Sequence, residues 1–151
     1  MKDIKPKLIR LFKEGYCTPQ IARIARSVDE PSTTIHYNIK KLESDGAIRT
    51  YKAVFDHRKI DEGFSVFILI ALSSGEYSDP ERIASNLAKH REVESVDIIA
   101  GDWELLLKVR TRDQDAYFEF LKTVISKEKG IENTNSIISL KETKSEFVIL
   151  R

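Results

Sequence analysis

Cysteine is almost missing from this 151-residue chain. Cys17 stands alone, so no internal disulfide forms, and a reducing cytoplasm is the expected setting. Proline occurs four times, and no stretch is of low complexity, which leaves little room for a disordered tail. Long apolar runs are lacking too. The longest, around Val66 to Leu72, falls far short of the ~20 residues that a membrane-spanning helix needs. The leading MKDIKPK holds no apolar segment, so neither a secretory signal nor a membrane partner is expected. Net charge is nearly absent, at +1, but the balance hides a division. Residues 1–60 hold 13 Lys+Arg against 7 Asp+Glu, a net of +6; residues 61–151 hold 12 against 17, a net of −5. That shift argues for two small domains, and it places the positive charge where a polyanion would be met.

The basic half carries two short helical patterns around a tight polar break: TPQIARIARSV, then DEPS, then TTIHYNIKKLESDG. In the second, Ile35, Ile39 and Leu42 follow i, i+4 and i+7, an apolar stripe that faces inward. Its outer side then presents Thr33, Thr34, Tyr37, Lys40 and Lys41. Hydroxyls, an aromatic ring and cations on one helical face suit the phosphates and base edges of a DNA groove. The first pattern opens with Thr18 as an expected cap and Pro19 at the first helical position. Ile21, Ile24, Ala25 and Val28 then pack on its partner. Upstream, Ile4, Leu8, Leu11 and Phe12 predict a third amphipathic helix, closed near Gly15. These three helices read as a helix-turn-helix of winged-helix-like form with the recognition helix second. IRTYKAVF, after Gly46, alternates like a strand and serves as a wing or as the way out of the domain.

The acidic half changes pattern. FSVFILIALSS reads as a buried strand. SDPERIASNLAKH reads as a helix capped by Ser78 or Asp79, with Glu81 closing a capping box on Ser78, and with Ile83, Leu87 and Ala84 inward. VESVDIIAG and WELLLKVRT read as two strands about a tight turn at Gly101-Asp102. DQDAYFEFLKTVISKEKG predicts a helix capped by Asp113, with Tyr117, Leu121, Val124 and Ile125 inward and Gly130 at its end. IENTNSIISLKETK closes as a strand, and EFVIL adds a short extra one. The order β-α-β-β-α-β is the ferredoxin-like arrangement, an antiparallel sheet with helices on one face. The fold class is therefore α+β. The expected domains are a DNA-binding unit at 1–50, a linking strand or hinge at 51–63 and a ferredoxin-like sensor and oligomerisation unit at 64–151. No helices remain for the second face of the sheet, so pairing of two copies is expected there.

Three stretches carry a resemblance. IARSV…PSTTIHYNIKKLESDGAI is similar to the helix-turn-helix core of the Lrp/AsnC, or feast/famine, transcription regulators of archaeal type. AGDWELLLKV resembles the glycine turn that leads into a strand of their sensor domain, and IRTYKAVFDHRKI their interdomain passage. The resemblance spans essentially the whole chain. It departs at Glu104, where the family commonly has aspartate, and in a recognition helix with fewer arginines than many members, its middle formed by His36, Tyr37 and Asn38.

The resemblance implies a homodimer, often assembled to a tetramer or octamer, that binds double-stranded DNA and answers to a bound amino acid. It implies no cofactor. On the helix, Ser32, Thr33, Lys40 and Lys41 are the candidate phosphate anchors, and Thr34, Tyr37 and Asn38 the candidates for base edges. Gly101, Asp102, Trp103 and Glu104, with Asn133, Thr134, Asn135 and Ser136, are the regions that face the effector in the family. Two carboxylates in the turn suggest a basic effector, lysine or arginine, with glutamine a further candidate.

An enzyme on the same two-domain scaffold, resembling sirohaem decarboxylases, is the alternative. It needs histidines that converge, whereas His36, His57 and His90 lie in three separate segments. No paired catalytic carboxylates, nucleophile elbow, phosphate-binding glycine loop or metal-ligand spacing stands in the sequence, so neither catalysis nor metal sensing is expected.

Overall fold

The computed structural model describes residues 3–75 and 79–144, in two compact units, Met1–Val54 and Phe55–Arg151. The first holds three helices: α1 (Lys5–Lys13), α2 (Ile21–Val28) and α3 (Ser32–Ser44). α1 ends where Gly15 turns to φ +93°. A Cβ there would sit 2.6 Å from Thr50 Oγ1 and 3.2 Å from the Tyr51 carbonyl. Both the backbone angle and the close approach therefore demand glycine.

α2 starts later than Thr18 and Pro19 suggest. Gln20 occupies the cap and makes no side-chain capping bond, and its carbonyl is the one that accepts from Arg23 and Ile24. Asp29 then adopts a left-handed conformation, φ 54° and ψ 46°, which short polar residues tolerate. The Glu30 N–H bonds back to the Ala25 carbonyl. Three residues thus turn the chain into α3, whose cap is Pro31.

The core of this unit is thinner than the apolar spacing predicts. Ala25 and Ile35 are its buried hydrophobics among the described residues, while Ile4, Leu8, Phe12, Val28 and Leu42 stay exposed. Helices of 8 to 13 residues enclose little volume for their surface. IRTYKAVF forms no strand. The Ile48 N–H bonds to the Leu42 carbonyl and the Tyr51 hydroxyl to Glu43, so the segment is tied to the end of α3 instead.

The second unit runs β1 (Phe64–Leu72), α4 (Pro80–Leu87), β2 (Val93–Ile98), β3 (Leu105–Thr111), α5 (Gln114–Thr123) and β4 (Ile131–Ser139). The sheet order is β2-β3-β1-β4, every neighbouring pair antiparallel, as the ferredoxin-like reading expects. Asp79 caps α4 by accepting from the Arg82 N–H, and Asp113 caps α5 through the Ala116 N–H. The expected capping box on Ser78 and the strand at EFVIL lie outside the described residues.

Alternation along β1 decides where the core sits. Val66, Ile68, Ile70 and Leu72 are at most 2% exposed. They pack with Leu105, Leu107 and Val109 of β3 against Ile83, Leu87, Tyr117 and Phe120. Phe67, Leu69 and Ala71 on the other face are only half covered, as expected of a sheet with helices on one side alone.

α5 stops at Thr123, short of Gly130, and a 3-10 turn at Ile125–Lys127 follows. The β-branched run Thr123-Val124-Ile125 disfavours further helix. Phe120, absent from the predicted inward set, is buried. The connection between β2 and β3 is also wider than a two-residue turn. It spans 99–104, closed by the Ile99 N–H on the Glu104 carbonyl.

Ile68→Ala removes a side chain from the fully buried centre of this core and is expected to cost ~2–5 kcal/mol in a denaturant titration. Gly15→Ala should lower the stability of the helical unit as well, read as earlier loss of helical circular dichroism on heating.

Candidate functional site

α3 carries its DNA-facing candidates as a stripe. Thr33, Tyr37 and Lys41 follow i, i+4 and i+8 and are all exposed, Tyr37 at 69%. Ser32 and Thr34 are exposed at the amino-terminal turn. No side chain caps that turn, so its free N–H groups and the positive end of the helix dipole are available to a phosphate. Two candidates are already engaged. The Asn38 Nδ2 donates to the Thr34 carbonyl, 2.8 Å away, so a bidentate contact to adenine requires that carboxamide to swing off its own helix. Lys40 lies 2.7 Å from Glu43. Neither bond was legible from the apolar spacing, which says which face is outward and nothing of what the side chains do there.

The effector candidates divide. Glu104 is buried, and its carboxylate accepts from the Leu72 N–H at 2.7 Å. The pairing of β1 with β4 shifts register between Ala71 and Leu72, and this acceptor satisfies an N–H at the irregularity. The Glu104 N–H meanwhile donates to the Ile70 carbonyl. Glu104 thus ties the loop to the central strand, and Asp102 is the exposed carboxylate of the pair. Trp103 is half-buried. Gly101 has φ +139°, and a Cβ added there would meet nothing within 4 Å, so its glycine serves backbone geometry and not clearance.

On β4, pleating splits the polar run. Ser136 pairs with Ile68 and Thr134 with Ile70, on the helix-covered face, where the Ser136 Oγ and Tyr117 hydroxyl are 2.6 Å apart. Asn135 pairs with Leu69 and Asn133 with Ala71, which places both on the open face. The Gly101–Glu104 loop adjoins the end of β1 through Ile70 and Leu72, and Asn133 flanks that end on its other side. By register, the loop that carries Asp102 and Trp103 and the open-face residues Asn133 and Asn135 lie on either side of the same end of β1, at one corner of the sheet.

Sequence reasoning missed a polar cluster at the far end of the open face. Arg110, its side chain only 6% exposed, lies 2.5 Å from Glu94 and 3.0 Å from Glu142. Lys108 joins both carboxylates. His57 stands 3.7 Å from Glu94 and 3.5 Å from Glu62. Burial raises the Glu94 pKa, but the hydrogen bond and charge of Arg110, with Lys108 behind them, outweigh it and hold that carboxyl below its ordinary value. Glu142 is lowered in the same way, Lys108 and Arg110 offsetting its burial. The alternation of charge along β3, KVRT after LLL, was the available signal.

The three histidines do not converge on a pocket. His36 is exposed on α3, His57 sits in this cluster, and His90 packs edge-on against Phe120 at 6.3 Å. Among the described residues no group of His, Cys, Asp or Glu could hold a metal ion, and no helix is long and apolar enough to cross a membrane.

Residues 65–149 match the Lrp/AsnC ligand binding domain. Over 144 residues the chain is 31% identical to the HTH-type transcriptional regulator FL11 of Pyrococcus horikoshii, covering 95% of this chain and 92% of that one. An AsnC family transcriptional regulator from Agrobacterium tumefaciens superposes with a TM-score of 0.76 at 26% identity, covering 99% and 97% of the two chains. The fold is shared with the transcriptional regulator NMB0573 of Neisseria meningitidis, solved with L-methionine, at a TM-score of 0.75 and 22% identity over 99% and 96%.

Two outcomes follow from this geometry. Glu104→Leu strands the Leu72 N–H and is expected to cost ~1–3 kcal/mol, whereas Glu104→Gln keeps an acceptor and costs less, both read by chemical denaturation. The lowered pKa values of Glu94 and Glu142 mean that the unfolded chain binds protons there more readily than the native one. Their stabilisation is present above the ordinary carboxylate value of 4.5 and is lost as pH falls through the folded values. Arg110→Met should flatten that acid limb in melts taken from neutral pH downward.

Proposed function

Because the chain belongs to the Lrp/AsnC family of transcription regulators, we propose that it acts as a homodimer presenting two copies of α3 to successive major-groove faces of double-stranded DNA. The observation that carries this is the exposed Thr33–Tyr37–Lys41 stripe on a half-chain of net charge +6. In this reading Ser32, Thr33, Lys40 and Lys41 hold phosphates, and Thr34, Tyr37 and Asn38 meet base edges. The 1–50 segment is the DNA-binding part, 51–63 the hinge and 64–151 the sensor.

The open sheet face supports the pairing of copies. Phe67, Leu69, Leu106 and Ile137 share it by strand register, and Ile137 is 48% exposed. Covering them with the same face of a second chain removes apolar surface from water. Assembly to a tetramer or octamer would then bring the corner at Asp102, Trp103, Asn133 and Asn135 against another dimer.

An amino acid is the proposed effector at that corner, shifting assembly or DNA affinity. The ligand-binding domain match and the methionine held by the Neisseria relative support the class of ligand. For this chain we favour a basic side chain, lysine or arginine, because Asp102 is exposed beside the loop backbone, while Glu104 is engaged with Leu72. The role is binding and not catalysis, in keeping with the relatives named as transcriptional regulators.

Fluorescence anisotropy on the DNA upstream of its own gene, beside a scrambled duplex, tests the reading. Preferential binding that shifts with added amino acids is expected; no preference at a salt where both duplexes bind overturns it. Isothermal titration with lysine, arginine, glutamine, leucine and methionine separates the effectors, and heat with leucine or methionine alone overturns the basic choice. Light scattering should give at least twice the 17.4 kDa chain mass; a monomer at micromolar concentration overturns the dimer.

A further inference from the structure

Lys40 projects from the outer side of α3 and is 62% exposed, yet its ammonium is 2.7 Å from Glu43 Oε2. One turn apart on a helix, such residues meet readily and part readily. Here the acid is not free to drift. The other oxygen, Glu43 Oε1, accepts from the Tyr51 hydroxyl at 3.1 Å, and the Glu43 side chain is only 29% exposed. Tyr51 is itself fixed, since its carbonyl lies against Gly15 and its segment is bonded to α3 through Ile48. A chain of contacts therefore runs from the loop after α1, through Tyr51 and Glu43, to a cation on the DNA-facing side of the helix. Lys41, its neighbour, is exposed and has no ion pair among the described residues.

We propose that Glu43, held by Tyr51, is a positioning residue that restrains Lys40 and sets how much of its charge reaches the DNA backbone. This rests on the reading of α3 as the DNA-contacting helix. The Lys40 pKa is raised by its hydrogen bond to Glu43 and that residue's charge, and the Glu43 pKa is lowered chiefly by Lys40, with Tyr51 assisting against burial. A phosphate must compete with Glu43 for the ammonium. Engaging a phosphate through Lys40 then first requires breaking the pair with Glu43, so fewer phosphates are neutralised and fewer condensed counterions leave the DNA than an unpaired lysine would achieve. Lys40 and Lys41, alike in sequence, are unlike in effect: Lys41 answers phosphate directly, Lys40 only as far as Tyr51 and Glu43 allow.

The test is a double-mutant cycle on the full-length protein, using anisotropy with a duplex of random sequence, because a phosphate contact does not depend on the bases. Wild type, Lys40→Ala, Glu43→Gln and the double variant are titrated over a series of salt concentrations. Glu43→Gln is expected to tighten binding roughly two- to fivefold and to steepen the logarithmic salt slope by about 0.9, the release from one phosphate. Lys40→Ala should cost less in the wild-type background than in the Glu43→Gln background, where it abolishes the gain. Tyr51→Phe keeps the acid's charge and removes its tether, so it should shift affinity in the same direction by a smaller factor, which simple removal of a negative charge does not explain. Thermal melts identify any variant that has lost its fold, and Tyr51→Phe decides the matter if Glu43→Gln is such a variant. Equal effects of Lys40→Ala in both backgrounds overturn the restraint while leaving Lys40 a DNA contact. No effect in either background, with random DNA still bound, removes Lys40 from the interface and overturns that assignment instead.

Discussion

The two-residue pleat of β1 is the constraint on which the second unit depends. One strand, flanked on both sides, turns Val66, Ile68, Ile70 and Leu72 toward α4 and α5 and the intervening residues away. Every face assignment in the sheet follows from that parity. The register with β3 and β4 then decides that Ser136 meets Tyr117 while Asn133 and Asn135 look outward. A slip of one residue would exchange the dry face for the open one. The apolar content of both faces means that such a slip is opposed mainly by shape, by the two helices and by the polar anchors at the strand ends.

Those anchors are of two kinds. At one end of the sheet, Glu104 answers a single backbone N–H where the ladder is irregular. At the other, Arg110 and Lys108 share Glu94 and Glu142. The first is a hydrogen bond made by a buried acid and is insensitive to salt. The second is a network of opposed charges whose attraction is partly offset by desolvation, so it specifies an arrangement more than it stabilises one. Between them lies the apolar middle of the open face, at Phe67, Leu69, Leu106 and Ile137. A surface with a greasy centre and charged margin at one end has a preferred orientation for whatever covers it.

Much of this was legible in the residues. Among the described residues periodicity located the five α-helices and four strands, and capping chemistry named Asp113 and, beside Ser78, Asp79, because a carboxylate before an apolar repeat has few other uses. The inward stripe of α3 was right at Ile35 and too generous at Leu42, and the stripes on α1 and α2 were read as buried where Leu8, Phe12 and Val28 are exposed. Amphipathic spacing reports which side of a helix is apolar; it does not report whether enough other chain is present to cover it. At the candidate sites the sequence named a loop and a strand, and the structure shows how their side chains are divided. It could not divide Asn133 to Ser136 between two faces without the register, nor see that Glu104 had a backbone partner 32 residues away in β1. The Arg110 cluster escaped for the same reason, since its members come from positions 57, 94, 108 and 142.

The position of β1 has a consequence in time. Its partners, β3 and β4, end at Thr111 and Ser139, so the strand at the centre of the sheet is synthesised first and covered last. At ~5–20 residues per second, roughly 3–13 s separate the emergence of Leu72 from that of Ser139 on a translating ribosome. Until β3 emerges β1 has no partner strand, and until β4 emerges one of its edges stays open. A nine-residue apolar strand, FSVFILIAL, with no proline and no charge, has the composition of a self-associating segment while it waits. The chain sets Arg58, Lys59, Asp61 and Glu62 directly ahead of it, a charged collar that hinders nascent copies from stacking on one another. The charged residues just ahead of β1 thus bear on how the chain is made as well as on how it folds.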